Sequence, residues 1–164
     1  MAHVIVHLTD DQVLEATRVG MRRVEENLRD GRKDRQGVTS AESHVIGALG
    51  ECACAKFLSI PWTPLPFEKR GEADLEGEIE VRTARLKSAC LPVKKWDKLY
   101  RRFVLVTLES FPKRWNVRGW LIGAAAASIV APETKGRWKD CWMVPVDRLN
   151  PAILLLELQG VPRG

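Results

Sequence analysis

Asp74-Leu75-Glu76-Gly77-Glu78-Ile79-Glu80-Val81-Arg82-Thr83 is the stretch on which the fold turns. It reads as two short extended segments joined by a tight turn at Glu76-Gly77. In the second segment Ile79, Val81 and Thr83 alternate with Glu78, Glu80 and Arg82. Alternate side chains of a strand share a face, so Glu78, Glu80 and Arg82 are expected to point one way. Asp74 lies across the turn and is expected near Glu80. An acid, a second acid and a base two residues on make a set able to hold a divalent cation beside a phosphate.

Upstream, His3–Leu8 is a short apolar opening that suits an edge strand. Thr9 fits a helix N-cap, and Asp10 and Asp11 suit a first turn. Val13, Leu14, Thr17, Met21, Val24 and Leu28 recur at helical spacing, which predicts a helix over Asp10–Arg29 ended by Asp30-Gly31. Residues 29–37 read as a polar loop. A second helix is predicted from an N-cap at Ser40 to Leu58, with Val45, Ile46, Leu49, Ala53 and Phe57 as its apolar stripe. Gly47, Ala48 and Ala55 form a row of small residues interrupted by Glu51. Small residues let a helix approach a sheet closely, so Glu51 is expected to be carried toward whatever the sheet presents.

Prolines 61, 64 and 66 make Ile60–Phe67 an irregular connection. Downstream, Arg102–Leu108 has the β-branched and apolar density of a buried strand, and Val117–Gly123 reads as its neighbour. Leu86–Leu91 reads as a loop. Ala124–Ser128 suits the start of a short helix, Cys141–Val144 a last strand, and Val146–Leu149 a helical turn. The apolar tail from Ile153 to Leu158 suits a final strand or a partner-facing segment. Helices first, then a central strand pair, then further strands predict an α/β or α+β fold with one mixed sheet.

Length and composition set bounds. The chain has 164 residues, 45% of them hydrophobic and 29% charged, as expected of one globular domain. No apolar run reaches the roughly 18 residues of a membrane span, which argues against a membrane protein. There is no basic-then-apolar N-terminal signal, and the four cysteines form no CxxC pair. Reduced thiols in a cytoplasmic setting are the expectation. The net charge of +5 is weak support for a polyanion partner. Its distribution says more: Lys94, Lys95, Lys98 and Arg101 follow the opening stretch, among Trp96, Tyr100, Trp115, Trp120, Trp138 and Trp142. Cations interleaved with aromatics are suited to phosphate backbones and unstacked bases, so DNA is the expected partner.

Phosphodiester hydrolysis needs an activated water, stabilised charge on phosphorus and help for the leaving oxygen. Hard divalent cations supply all three and prefer oxygen ligands. Glu51, Asp74, Glu80 and Arg82 fit that requirement. Glu51 on a helix, Asp74 on a strand and Glu80-Val81-Arg82 on the next resemble the PD-(D/E)XK nuclease superfamily over about residues 40–125. The run Gly47-Ala48-Leu49-Gly50-Glu51 resembles the corresponding helix of phage-type and resolvase-type members. The resemblance implies a restriction-endonuclease-like mixed central sheet flanked by helices, and a metal-dependent endonuclease acting on DNA. It implies Mg²⁺ or Mn²⁺ held by Asp74 and Glu80, with the Val81 carbonyl as an extra ligand and Glu51 completing the site. The expected organisation is a single domain over residues 1–164, with a helical extension over 1–38, a nuclease-like core over 40–145 and a tail over 146–164. A phage-encoded member would act in the host cytoplasm.

The chain departs from the family at Arg82, where a lysine is expected. Arginine is always protonated and takes no proton, though its fork binds phosphate. Arg82 is then a clamp, or Lys94 or Lys95 migrates into the site, or catalysis is lost. The last case leaves a nuclease-fold protein that binds DNA or a partner protein. An unrelated alternative is a small structural or virion-assembly protein whose apolar tail makes an oligomer contact, a homodimer being the simplest.

Overall fold

The computed structural model describes residues 4–31, 41–64 and 71–160. His3, Ser40, most of the 29–37 loop, and Pro66 and Phe67 lie outside the described residues. Strand β1 (Val4–His7) leads into α1 (Asp10–Arg29) and α2 (Ala41–Leu58). Then come β2 (Ile79–Ala84), β3 (Leu91–Lys94), β4 (Arg102–Ser110) and β5 (Arg114–Ile122). A short α3 (Ala126–Ile129), β6 (Cys141–Val144) and α4 (Ala152–Leu158) follow. The mixed α/β class expected from the sequence is the class observed.

The main sheet runs β1-β5-β4-β2, with β1 and β2 at its edges. The β2–β4 pair is parallel, and the β4–β5 and β5–β1 pairs are antiparallel. Strands β3 and β6 form a separate antiparallel pair, so two sheets stand where one was expected. Pro92 helped hide β3, because proline lacks the N–H that a central strand needs; a two-stranded ladder tolerates it.

Strand β4 separates two cores. Val104 and Val106 pack with α1, α2 and β2 residues, whereas Phe103 and Leu105 pack with Leu91, Val93, Trp142 and Val144. Both faces are covered, which is why the run reads as continuously apolar rather than alternating. Helix α1 begins with a capping box in which Thr9 and Gln12 exchange side-chain and backbone bonds. Its inner face, Ala16, Val19, Gly20 and Val24, is buried, and Gly20 lies against Val45 of α2. Helix α2 lies between α1 and the sheet and is buried on nearly every side. Its close approach to the sheet is made at Gly50, against Thr83, and not at Gly47, which faces open space.

Three further expectations change. The first arm of the proposed hairpin is a single Leu75–Ile79 bridge, and the turn places Gly77 (φ 80°) and Glu78 (φ 58°) in the left-handed region. The tail is helix α4, not a strand, with Ala152 and Leu155 buried and Leu158 exposed. Of the aromatics counted toward a binding surface, Trp115, Trp120 and Trp142 are core residues. No helix among the described residues is long and apolar enough to cross a membrane.

The two helix glycines give a paired prediction. A Cβ at Gly20 would lie 2.5 Å from the Val45 Cα, backbone that cannot swing away. Gly20→Ala is expected to destabilise by about 1–3 kcal/mol through overpacking. Gly47→Ala, with nothing within 4 Å of the added methyl, is expected to stabilise by up to about 1 kcal/mol through helix propensity. Urea melting of both variants checks the pair; equal shifts of the same sign would contradict this packing of α1 on α2.

Candidate active site

The site is built on the open edge of β2. Leu75 and Ile79 exchange backbone bonds on that edge, while the Glu78 carbonyl turns inward to accept from the Arg102 N–H. Backbone polarity alternates along a strand, so Val81 also presents its N–H and C=O outward. Asp74 takes that position: its Oδ2 accepts from the Val81 N–H at 2.8 Å. The Val81 carbonyl therefore lies on the same edge as the Asp74 carboxylate.

Side chains divide across the strand. Ile79 and Val81 join the core beneath α2. Glu80 and Arg82 point to the opposite face, where the Arg82 guanidinium lies 5.2 Å from the Phe103 ring centre. Glu51 comes from α2, one residue beyond the Gly50–Thr83 contact, and is buried at 7% exposure. The acids thus reach the edge from different directions, with Asp74 on it.

Each acid meets a different balance of charge. Arg23 of α1 grips Glu51 through both guanidinium nitrogens, at 2.7 and 2.8 Å. Glu80 accepts from Arg101 Nη1 at 2.5 Å and from Arg82 Nη1 at 3.3 Å. Arg82 also donates to Asp97 Oδ2 at 3.0 Å, and that same oxygen takes the Lys94 backbone N–H. Asp74 receives a neutral N–H. Enclosure of its carboxyl by protein, then the charges of Glu51 and Glu80, push Asp74 up to about 7, against the Val81 N–H and Arg82, which favour its ionised form.

Arg101 is corrected most. It was expected on a nucleic-acid-binding surface, yet it is 4% exposed and holds Glu78, Glu80 and the Gly71 carbonyl. Lys95 pairs with Asp140, away from the acids. Lys94 stands on β3, and its backbone serves Asp97. Lys98 is the lysine on the Asp74 side: it donates to the Gly71 carbonyl and shares a cavity of about 450 Å³ with Asp74, Glu78 and Arg101. Arg23 and Asp97 were missed in the sequence because nothing local marks them. Arg23 lies 28 residues from Glu51, and Asp97 lies 15 from Arg82.

Among the described residues, no group of three or more His, Cys, Asp or Glu side chains stands close enough together to hold one metal ion. The donor chemistry nonetheless suits a hard cation: two carboxylates and one backbone carbonyl, with like charges crowding Asp74. No family model, no curated protein and no solved structure matches this chain.

The raised Asp74 makes stability depend on pH. In the folded chain it keeps its proton to about pH 7, whereas an unfolded aspartate releases it near about 3.9. Between those values the folded state binds more protons, so this group's contribution to stability falls as pH rises. Asp74→Asn removes the charge and keeps an acceptor for the Val81 N–H. It is expected to raise Tm at pH 8, with the gain shrinking toward pH 4. Melting curves at pH 4, 6 and 8 test this, and a gain independent of pH would contradict it.

Proposed function

We propose that this chain is a metal-dependent DNA nuclease with its active site on the edge of β2. The observation that carries the reading is Asp74, an acid seated on a strand edge beside an outward carbonyl and crowded by Glu51 and Glu80. Crowded acids of this kind are unfavourable for a fold alone and are relieved by a bound cation.

Asp74, Glu80 and the Val81 carbonyl would hold Mg²⁺ or Mn²⁺, with Glu51 orienting the site from α2. The ion, when bound, supplies Lewis-acid stabilisation of phosphate charge and lowers the pKa of water. The chain's own residues do the rest. Arg23 fixes the direction of the Glu51 carboxylate through its two-pronged contact. Arg101 braces Glu80 from within the protein. Arg82, set between Glu80 and Asp97, holds a positive charge beside the acids that would attract a phosphate. Arg82 takes no proton, so its part is electrostatic. Lys98 adds a second positive charge on the Asp74 side.

A second reading is favoured by the ion pairs themselves. Glu51 and Glu80 already carry guanidinium partners, an arrangement that suits a nuclease-fold protein that binds DNA without cutting it.

The deciding experiment incubates linear, nicked and branched DNA with Mg²⁺ or Mn²⁺ and compares the wild type with Asp74→Asn and Glu80→Gln. Cleavage by the wild type and a loss of at least about 100-fold in each variant are expected, as for disruption of a metal site. Cleavage surviving both substitutions would remove the site. An inert wild type that binds no Mn²⁺ by calorimetry would decide for the binding reading.

A further inference from the structure

A second cavity opens at the C-terminal end of β2, where Arg82, Thr83 and Ala84 all line it. It has a volume of about 590 Å³ and is bounded by the N-terminal part of α2, the 84–90 loop, β3 and β6, and the turn at 136–138. That size falls in the range of small-ligand sites.

The wall has two chemical characters. Arg82, Arg85 and Arg137 line it, Arg85 being paired with the exposed Glu42, and no carboxylate lines it among the described residues. The buried Nε of Arg82 has no hydrogen-bond partner among the described residues, although its two terminal nitrogens are engaged. The remainder is apolar and includes Trp138 and Met143. Arg137 lies 4.5 Å from the centre of the Trp138 ring, which stiffens that side chain as a platform. Arginines alone would suit any anion. Arginines that share a cleft with an indole suit an anion with a flat aromatic body.

We propose that this cleft binds an unpaired nucleotide, with its base against Trp138 and its phosphate toward Arg82 and Arg85. A base held in a Watson–Crick pair cannot stack on a side chain, so the ligand is a single-stranded segment or a free mononucleotide. The inference deepens the nuclease reading, because Arg82 is common to the cleft and the acid site; it gives that site a substrate with an unpaired base beside the scissile phosphate. The binding itself needs no metal and no catalysis.

Cys90 lines the cleft and provides the readout. Cys52, Cys54 and Cys141 are buried, whereas Cys90 is half-exposed. Burial also pushes the Cys52 thiol up to about 11 and the Cys54 thiol higher still, so both are poor nucleophiles. Alkylation of the intact chain in EDTA therefore reports Cys90, with Cys90→Ser as the control. The rate is followed with a 5′-phosphorylated single-stranded oligonucleotide of mixed sequence, its blunt duplex, AMP and inorganic phosphate.

Protection by the single strand, and not by the duplex or by phosphate, is expected. Protection by AMP at similar concentration would identify a free mononucleotide as sufficient, and protection by the oligonucleotide alone a strand. Trp138→Ala is expected to weaken protection about ten-fold or more, the usual worth of one base–aromatic stack. Trp138→Phe, which keeps a ring, should retain most of it, and Asp74→Asn should retain all of it. Equal protection by duplex and single strand, or no protection by any nucleotide, overturns the proposal. Protection together with an inert wild type would sink the nuclease reading and leave the cleft standing; cleavage without protection would do the reverse.

Discussion

Helix α2 lies so close to β2 that any side chain at Gly50 would overlap Thr83. Much of the molecule follows from that approach. A helix seated so low buries nearly all its surface, so its sequence is small and apolar on every side: Ala48, Leu49, Cys52, Ala53, Cys54 and Ala55 are all core residues. A second helix must then cover the outer side, and α1 does so through its own close contact, Gly20 on Val45. The residue after Gly50 is an acid. The approach that excludes a side chain at Gly50 carries Glu51 inward, where its charge must be answered.

The answer is a set of guanidinium groups on elements distant in the chain. Arg23 is on α1, Arg82 on β2, and Arg101 immediately before β4. Withdrawing an ion pair from water is costly unless its geometry is good and its remaining atoms are satisfied. Arg23 meets that condition by a two-pronged contact with Glu51, and Arg101 by three acceptors. Asp74 is treated differently. It has a backbone donor, and burial together with two acid neighbours raises its pKa. The strain of like charge is therefore concentrated at the sheet edge, where solvent and a ligand have access.

How much of this could be read beforehand depended on whether the signal was local. Thr9, the α1 periodicity and the apolar run of β4 are local, and each predicted the element observed. Glu80 and Arg82 were placed on one face correctly because strand alternation is local too. The tail Ile153–Leu158 was ambiguous, since a short apolar run has the same composition in a buried strand and in a short packed helix. Burial of Arg101 was illegible: a charged residue beside Tyr100 and Arg102 looks like surface until Glu78, Glu80 and Gly71 gather around it. Asp97 was taken for part of a polar turn, and only the fold sets it against Arg82. Local pattern located the acids; the cations that hold them depended on tertiary contacts.

An acidic edge has one other explanation. Open edge strands invite pairing with further chains, and charges on them prevent it. Strand β2 is such an edge, and Glu80, Arg82 and Asp74 would guard it. Guarding, however, requires only charges that are exposed and well solvated. Glu51 is buried, Glu80 is 14% exposed and gripped from within by Arg101, and Asp74 is held where its ionised form is disfavoured. Each of these choices loses hydration that edge protection would have kept. A chain selected only for solubility would place lysines and glutamates outward at these positions, with no need for an acid on α2 or for Arg23 to balance it. The added cost at this one edge is what a binding or catalytic site explains and edge protection does not.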